Sequence, residues 1–482
     1  MESNKTCLFY VKRKKRYCKM LVRAGQQYCG QHLVEEHVNE ETIHLKRIPC
    51  PLDPKHSCYE HRLKHHLAIC NAREVTGLPY VSHNINLRIG DTKEPPKISP
   101  SSLSDQELLS FIAKVEAAHM EHIDNIEESI LSHHTLEKEI EAPGCGPSIM
   151  RHLSQNSSIL GHLELAGLLN TSFTPTCYVE FGAGRGQLTR WLTETVSDTS
   201  KALFVLVDKG AQRYKFDAKL KYNKELSLQR LRVDIQHLNL QGVAGLDTYS
   251  QIVGLGKHLC GGATDLALHC LSRHSEPIVT GVVLALCCHH RCTWLTYSGI
   301  TFLQDAEFSP AEFYTLTTLT SWATCNSKDI PSKEEVLGDV ENDIEEGNKE
   351  YETNITEEQI CDMSELISRE ANKNEASEDN QQLENRYTRL NLPAQYREEV
   401  GRKAKQLLDF GRVRYLQDQG FQCRLVKYVT KEVTLENIAL VANYVEGYGG
   451  HTLEDVITHV LGLVIRNSSL GHGKIFRFQL KS

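Results

Sequence analysis

The stretch CYVEFGAGRGQLTRW, residues 177–191, constrains the fold of this chain more than any other segment. Its first five residues favour a β-strand, an amphipathic helix begins at Gln187, and between them stand three glycines, Gly182, Gly184 and Gly186. A strand, a glycine turn and a helix form the first step of a doubly wound α/β sheet. Because glycine adopts dihedral angles that other residues avoid and leaves the backbone accessible, the turn predicts a bound ligand.

The residues around the turn indicate the charge of that ligand. The glycine spacing is G-x-G-x-G, whereas the dinucleotide-binding pattern is G-x-G-x-x-G. Glu180 precedes the first glycine by two residues, and its carboxylate would repel a pyrophosphate. S-adenosylmethionine, whose sulfonium and ammonium groups are positive, fits this environment.

Two later strands end in acidic residues that suit the same cofactor. The segment ALFVLVD, residues 202–208, predicts a second strand that ends in Asp208, which is placed to accept hydrogen bonds from ribose hydroxyls. LQRLRVDI predicts a third strand that ends at Asp234, where a carboxylate meets the adenine amino group. The predicted cofactor-binding residues are therefore Glu180, Gly182, Gly184, Gly186, Asp208 and Asp234.

The fourth and fifth predicted strands carry reactive side chains at their ends. They lie in SQIVGLGKHLCGGATDLALHCL (250–271) and PIVTGVVLALCCHHRC (277–292). Ligands of open α/β sheets bind outside the carboxyl ends of the strands. This rule places on the substrate side Lys257, His258, Cys260, Asp265, Cys287, Cys288, His289 and His290. Ordinary packing is the alternative for the cysteines, and a third metal site is disfavoured for CCHH because adjacent residues rarely converge on one tetrahedral ion.

The first forty residues contain a set of metal ligands with the spacing C-x10-C-x10-C-x2-H, namely Cys7, Cys18, Cys29 and His32. Three thiolates and one imidazole complete the tetrahedral coordination of a structural Zn²⁺. A segment so short and polar cannot bury a core, and a metal ion would stabilise it.

A second set follows with the spacing C-x5-H-x9-H-x3-C: Cys50, His56, His66 and Cys70. The last two ligands are four residues apart, so a helix places both on one face. His65 is the alternative to His66, but it projects away from that face. The sequence thus predicts two structural zinc ions.

The remaining composition bounds the location of the protein. Sixteen cysteines and 23 histidines favour thiols and metal ligands over disulfides in a reducing compartment. No stretch approaches the roughly 20 apolar residues of a membrane span, and charged residues stand where a secretory signal needs apolar ones. We expect an intracellular protein of the nucleus or cytoplasm, with no membrane partner; nothing in the pattern gives its oligomeric state.

The net charge of −8 is unevenly distributed. Residues 1–34 carry +7, whereas residues 333–386 contain 18 acidic and 5 basic residues, a net of −13. Such a composition is typical of a disordered insertion. Removing it leaves +5 for the rest of the chain, which is compatible with a polyanionic partner.

Between the metal sets and the glycine turn, the chain changes character twice. DTKEPPKISPSSLSD predicts an exposed linker, and apolar residues at three-to-four spacing predict one long amphipathic helix over Asp105 to Glu141, capped by Ser104. We expect its apolar stripe to pack against the catalytic domain, with a coiled-coil dimer as the alternative.

Together, the two metal sets, VEFGAGRGQL, GKHLCGGATDL and CCHH resemble a eukaryotic tRNA 2'-O-methyltransferase family that modifies the fourth nucleotide of the acceptor stem. The resemblance implies a Rossmann-like class I methyltransferase domain that uses S-adenosylmethionine, preceded by two zinc modules that contact RNA. The expected organisation is a CCCH finger (1–34), a CHHC finger (46–74), a linker and long helix (75–142) and a methyltransferase domain (143–482) with a disordered acidic insertion at about 328–386.

Methylation of a ribose hydroxyl requires a weakly acidic oxygen to lose its proton as it attacks the methyl group. His258 suits the general base and Lys257 the cation that stabilises the developing alkoxide. Asp265 would orient one of them or cap the following helix, and His289 or His290 is the alternative base. The other functions compatible with the sequence are a zinc-finger RNA-binding adaptor with a vestigial methyltransferase fold and a tRNA base methyltransferase.

Overall fold

The computed structural model describes residues 6–11, 16–18, 22, 27–29, 47–70, 73, 77–88, 93–142, 146–210, 226–274, 278–324 and 386–445. The chain forms two compact units. The first comprises residues 1–78 with 210–212, and the second comprises 79–209 with 213–482. The predicted acidic insertion falls, apart from Arg386, outside the described residues.

Where the structure describes it, the first unit contains two small antiparallel hairpins and one short helix. The hairpins pair β1 with β2 and β3 with β4. Their bounds are β1 Tyr10–Val11, β2 Arg16–Tyr17, β3 Arg47–Cys50, β4 Asp53–Tyr59 and α1 Leu63–Ile69.

The second unit is built on an eight-stranded mixed sheet with the order β5-β11-β12-β10-β9-β6-β7-β8. Strands β6 to β10 are mutually parallel where they pair, and β12 runs antiparallel to both β10 and β11. The strands are β5 Glu127–Glu128, β6 Thr176–Phe181, β7 Ala202–Asp208, β8 Ser227–Arg232, β9 Gln251–Cys260, β10 Ile278–Cys287, β11 Phe421–Lys427 and β12 Ile438–Tyr444. This arrangement confirms the predicted doubly wound α/β fold.

Helices cover both faces of the sheet. Successive side chains of its buried strands point to opposite faces, so apolar side chains on each face pack against helices. On β6, Cys177, Val179 and Phe181 join one apolar cluster, whereas Tyr178 joins the cluster on the opposite face. Among the described residues, the helices of this unit are α2 Asp105–His122, α3 Glu137–Ile140, α4 Pro147–Leu165, α5 Gln187–Thr195, α6 Gly262–Ser272, α7 Ile300–Asp305, α8 Pro310–Leu319 and α9 Ala394–Asp418.

The long helix expected over residues 105–141 is shorter than predicted. Helix α2 begins at the predicted cap, where Ser104 and Glu107 form a capping box, but it ends at His122. Beyond it the backbone is extended, and β5 pairs in parallel with β11 at the edge of the sheet. Pairing with the sheet thus replaces helical hydrogen bonds in a segment whose apolar spacing alone favoured a helix.

The apolar stripe of α2 is covered within the chain. Leu108, Phe111, Ile112 and Val115 are buried in a third apolar cluster with residues of α8 and α9. This packing agrees with the expectation that the stripe packs against the catalytic domain. None of the described helices is long and apolar enough to cross a membrane.

Candidate active site and metal centres

The glycine turn lies at the carboxyl end of β6, where the strand order reverses. The chain proceeds from β6 to β7 and β8 on one side and then crosses to β9 on the other side of β6. The connections leaving β6 and β9 therefore diverge and leave a crevice, which is the usual ligand site of such sheets.

All three glycines of the turn adopt positive φ angles, at 63° for Gly182, 49° for Gly184 and 79° for Gly186. A Cβ atom on Gly182 would lie 3.1 Å from Leu259 Cδ2, so this glycine permits close approach of β9. A Cβ atom on Gly184 would meet nothing within 4 Å, so its backbone borders open space. The turn accordingly has room for a ligand beside Gly184.

Glu180 is buried within the sheet, with 4% of its surface exposed. Its Oε2 accepts a hydrogen bond from the backbone nitrogen of Thr189 at 3.0 Å and another from the Thr189 hydroxyl. Burial raises the pKa of Glu180 to about 7, and the opposing effects come from Thr189 and from the charges of Arg230 and Lys257. Near pH 7 both the neutral and the charged form of this carboxyl group are therefore present, and a nearby cation would favour the charged form.

The two other predicted acidic residues follow β7 and β8. Asp208 Oδ2 accepts a hydrogen bond from the Gly184 backbone nitrogen at 2.8 Å, which ties the tip of β7 to the glycine turn. Asp234 stands two residues beyond the end of β8 and accepts a hydrogen bond from the Gln236 backbone nitrogen at 3.1 Å. Its other oxygen lies 3.3 Å from Lys209 Nζ. The predicted acids thus lie at successive strand tips.

Lys257 and His258 lie near the end of β9, beside the glycine turn. Lys257 Nζ lies 3.1 Å from His152 Nδ1 and donates to Asn156 Oδ1 at 3.2 Å. Burial, followed by the charge of Lys257, lowers the pKa of His152 to about 4 and that of His258 to about 3. His152 and Asn156 belong to α4, and the sequence analysis missed them because α4 precedes the glycine turn and carries no recognised motif.

Asp265 and His289 belong to a buried network centred on Arg412 of α9. Arg412 donates through Nη2 to Asp265 Oδ2 at 2.8 Å and through Nη1 to Asp409 Oδ1 at 3.0 Å. His289 Nε2 lies 2.6 Å from the same Asp409 oxygen. Asp265 also accepts a hydrogen bond from the Ser298 hydroxyl at 2.9 Å. All four members of the network are buried, with at most 1% of their surface exposed: Asp265, His289, Asp409 and Arg412. The network joins the turn after β10, helix α6 and helix α9.

Cys260, Cys287 and Cys288 form a compact thiol cluster at the ends of β9 and β10, with their sulfur atoms all within 4.8 Å of one another. Cys260 and Cys287 are direct partners in the parallel register of the two strands. Hydrogen bonds from the thiols of Cys287 and Cys288 lower the pKa of Cys260. We call these three residues the thiol cluster.

Within each N-terminal set, the predicted metal ligands that the structure describes lie close together. The sulfur atoms of Cys7, Cys18 and Cys29 group within 4.8 Å, and those of Cys18 and Cys29 are 3.9 Å apart. His32 lies outside the described residues. Soft thiolates at such distances have the donor chemistry that Zn²⁺ prefers.

In the second set, His66 Nε2 lies 3.1 Å from Cys50 Sγ, and Cys50 Sγ lies 3.7 Å from Cys70 Sγ. His66 is on α1 and Cys70 directly follows that helix. His65 is exposed and is not part of the group of ligand atoms. The side chain of His56 lies outside what the structure describes.

Three basic residues of α9 are engaged within the chain. Lys403 pairs with Glu116 and Glu399, Lys405 pairs with Glu436, and Arg412 is buried. These three cations serve contacts within the chain.

A mixed sheet with a glycine turn at its switch point and acidic residues at the neighbouring strand tips defines a Rossmann-like methyltransferase domain, here in a chain with two zinc-finger sequences. The family model described as methyltransferase TRM13 matches residues 154–443. Models described as the CCCH zinc finger in TRM13 protein and the U11-48K-like CHHC zinc finger match residues 5–33 and 47–71. The chain therefore belongs to the TRM13 methyltransferase family. The predicted cofactors, S-adenosylmethionine and zinc, agree with these matches.

Curated relatives are similar over most of their length. The chain is 34% identical to the human "tRNA:m(4)X modification enzyme TRM13 homolog", covering 90% of this chain and 94% of the relative. The mouse protein of the same name is 33% identical over the same shares. A solved structure of a Burkholderia thailandensis 1,6-didemethyltoxoflavin-N1-methyltransferase is 11% identical and covers 41% of this chain and 71% of that one, with a TM-score of 0.19, a likeness too weak to support an argument.

Proposed function

We propose that this protein uses S-adenosylmethionine to methylate the 2'-hydroxyl of the ribose at position 4 in the acceptor stem of certain tRNAs. The observation that supports the proposal most is the convergence of the glycine turn with Lys257 and His258 at the switch point between β6 and β9. Its relatives bear the name of a tRNA modification enzyme. An intracellular location, in the nucleus or cytoplasm, is part of the proposal.

The cofactor end of the crevice is assigned to the glycine turn and the three acidic residues. When bound, S-adenosylmethionine supplies a methyl group activated by a positive sulfur. The open space at Gly184 admits a ligand against the backbone, and Asp208 holds this part of the turn through the Gly184 nitrogen. Glu180, Asp208 and Asp234 make the crevice favourable to a cationic ligand that carries ribose hydroxyls and an amino group.

The end of the crevice that would hold the ribose hydroxyl of the substrate is assigned to Lys257 and His258. Lys257 is 9% exposed and is held by His152 and Asn156, so its ammonium group has a defined position. A cation fixed in a low-dielectric crevice stabilises the developing alkoxide, since charge interactions are strong there. His258, the next residue along β9, is the general base of the proposal. Its pKa of about 3 keeps the imidazole neutral at pH 7 but makes it a weak base, so accepting the hydroxyl proton would contribute no more than about 10²-fold to the rate.

Asp265 and His289 receive positioning roles. Both oxygens of Asp265 accept hydrogen bonds from Arg412, and His289 is turned toward Asp409. Side chains so thoroughly buried in a charge network orient the loops that follow β9 and β10 rather than exchange protons with a substrate. Their place in the network therefore favours Lys257 and His258 for the chemistry.

The zinc modules are proposed to grip the acceptor stem. Base edges of an A-form stem lie in a deep and narrow groove, so a protein reads its shape, phosphates and 2'-hydroxyls. The net charge of +7 in residues 1–34 suits that task. We assign structural zinc ions to Cys7, Cys18, Cys29 and His32 in the first module and to Cys50, His56, His66 and Cys70 in the second.

Purified protein, S-adenosylmethionine and unmodified tRNA test the proposal directly. A 2'-O-methyl group blocks alkaline cleavage of the adjacent linkage, so one linkage near position 4 should become resistant. Asp208→Asn should abolish the resistance because it removes the charge at the glycine turn. Asp247→Asn, at an exposed position after β8, is the matched control and should retain it.

The other outcomes of this assay identify the alternative functions. Methyl transfer without alkali resistance would replace ribose methylation with methylation of a base. RNA binding without any methyl transfer would support an adaptor with a vestigial methyltransferase fold. The intact residues Glu180, Gly182, Asp208 and Asp234 disfavour the adaptor. The segment GKHLCGG disfavours a base methyltransferase, because it stands where such enzymes often have an Asn-Pro-Pro-Tyr-like turn.

A further inference from the structure

The thiol cluster at the ends of β9 and β10 has no part in the proposed methyl transfer. We infer that Cys260, Cys287 and Cys288 bind a third Zn²⁺, distinct from those of the two zinc fingers. The inference does not depend on the proposed substrate, since it rests on the placement of three sulfur atoms within the second unit of the chain.

The backbone explains how adjacent cysteines converge on one point. Cys260 and Cys287 lie side by side in the register of neighbouring parallel strands, and the Gly261 nitrogen donates to the Cys287 carbonyl oxygen at 3.3 Å. Cys288 then adopts a left-handed conformation, with φ of 51° and ψ of 43°. Side chains of successive residues in an extended strand point to opposite faces, whereas this turn brings the second thiol toward the first.

The distances suit a single ion. Zn–S bonds of about 2.3 Å in a tetrahedral site place sulfur atoms about 3.8 Å apart. All three sulfur atoms of the cluster lie within 4.8 Å of one another. The zinc-finger cysteines of the same structure have comparable separations, 3.9 Å for Cys18 and Cys29 and 3.7 Å for Cys50 and Cys70.

The surroundings favour a site that keeps an open coordination position. The three cysteines are partly exposed, unlike the packed thiols of Cys177 and Cys270 in the core. Among the described residues, no further histidine, cysteine or carboxylate completes the ligand group. Zinc sites with three protein ligands hold water or a substrate atom in the fourth position. The ion would therefore present a coordination position at the substrate edge of the sheet, two residues beyond His258.

Metal analysis of the full-length protein tests the inference. The protein is purified with zinc in the medium, freed of loosely bound metal on a desalting column and analysed by mass spectrometry for zinc per chain. Three variants are compared with the wild type: Cys260→Ser, Cys288→Ala and the matched control Cys423→Ser. Cys423 is a partly buried cysteine on β11, away from the three cysteines in the order of the sheet.

We expect three zinc ions per chain in the wild type and in Cys423→Ser, and two in Cys260→Ser and Cys288→Ala. Cobalt substitution gives a second readout, since thiolate-to-cobalt absorption should decrease in those two variants alone. Two zinc ions in the wild type would overturn the inference, even if a variant fails to fold. Equal zinc content in Cys288→Ala and the control, with an unchanged thermal midpoint, would overturn it as well.

Discussion

Replacing Arg412 with methionine should sharply destabilise the methyltransferase domain. The guanidinium is 1% exposed and contacts Asp265 through two bonds of 2.8 and 3.1 Å, Asp409 at 3.0 Å and Cys292 Sγ at 3.1 Å. Arg412→Met fills much of the same volume but leaves two carboxylates in the interior without their cation. Each retains one other partner, Ser298 for Asp265 and His289 for Asp409.

The removal of one partner from a buried ion pair typically costs about 3–5 kcal/mol. We expect a loss in that range rather than twice as much, because the remaining hydrogen bonds continue to satisfy both carboxylates in part. For a domain of this size, about 2–4 °C per kcal/mol gives a decrease of about 6–20 °C in the thermal midpoint. Differential scanning fluorimetry and urea titration of the full-length protein would measure it.

Arg414→Met is the matched control, since Arg414 lies two residues further along the same helix and is exposed. It should change the free energy of unfolding by no more than about 0.5 kcal/mol. The double variant Arg412→Met/Asp265→Asn should be more stable than Arg412→Met, because one uncompensated charge is removed. Equal stability of the two arginine variants would refute the buried-charge argument.

Three further predictions concern binding and catalysis. If the charged form of Glu180 binds the cationic cofactor, the affinity for S-adenosylmethionine should increase as the pH rises through about 7, by up to about tenfold between pH 6 and 8. Titration calorimetry would measure this increase and should find no such pH dependence in Glu180→Gln. His258→Asn should lower kcat by up to about 10²-fold without changing cofactor affinity, since the lowered pKa of His258 makes it a weak base; an unchanged kcat would exclude His258 as the base. Deletion of residues 1–74 should weaken tRNA binding in a gel-shift assay but spare cofactor binding; equal loss of both would contradict the proposed division of labour.

The core of the cofactor crevice was predictable because its information is local. Strand β7 has the bounds that ALFVLVD indicated, and the helix after the glycine turn begins at Gln187 as expected. Apolar alternation, glycine conformational freedom and the spacing of metal ligands all act within short segments of chain. The positions of Gly182, Asp208 and the metal-ligand spacings could therefore be found without coordinates.

Long-range pairing was not predictable in the same way. Arg412 is one of several basic residues on α9, and its charge neutralises Asp265, which lies 147 residues earlier. Helix α2 ends at His122 because the next segment pairs with β11, which follows it by almost 300 residues. Neither partner is visible in the local pattern of the other.

The sequence by itself determined the doubly wound sheet, the glycine turn with its acidic neighbours and the two sets of candidate metal ligands, because strand, turn and ligand spacings depend on neighbouring residues. Only the tertiary structure decided that Lys257 is held by α4, that Asp265 and His289 belong to a buried charge network, and that three cysteines form one cluster. These features depend on strand register, on the left-handed turn at Cys288 and on contacts between distant segments, which exist only once the chain has folded.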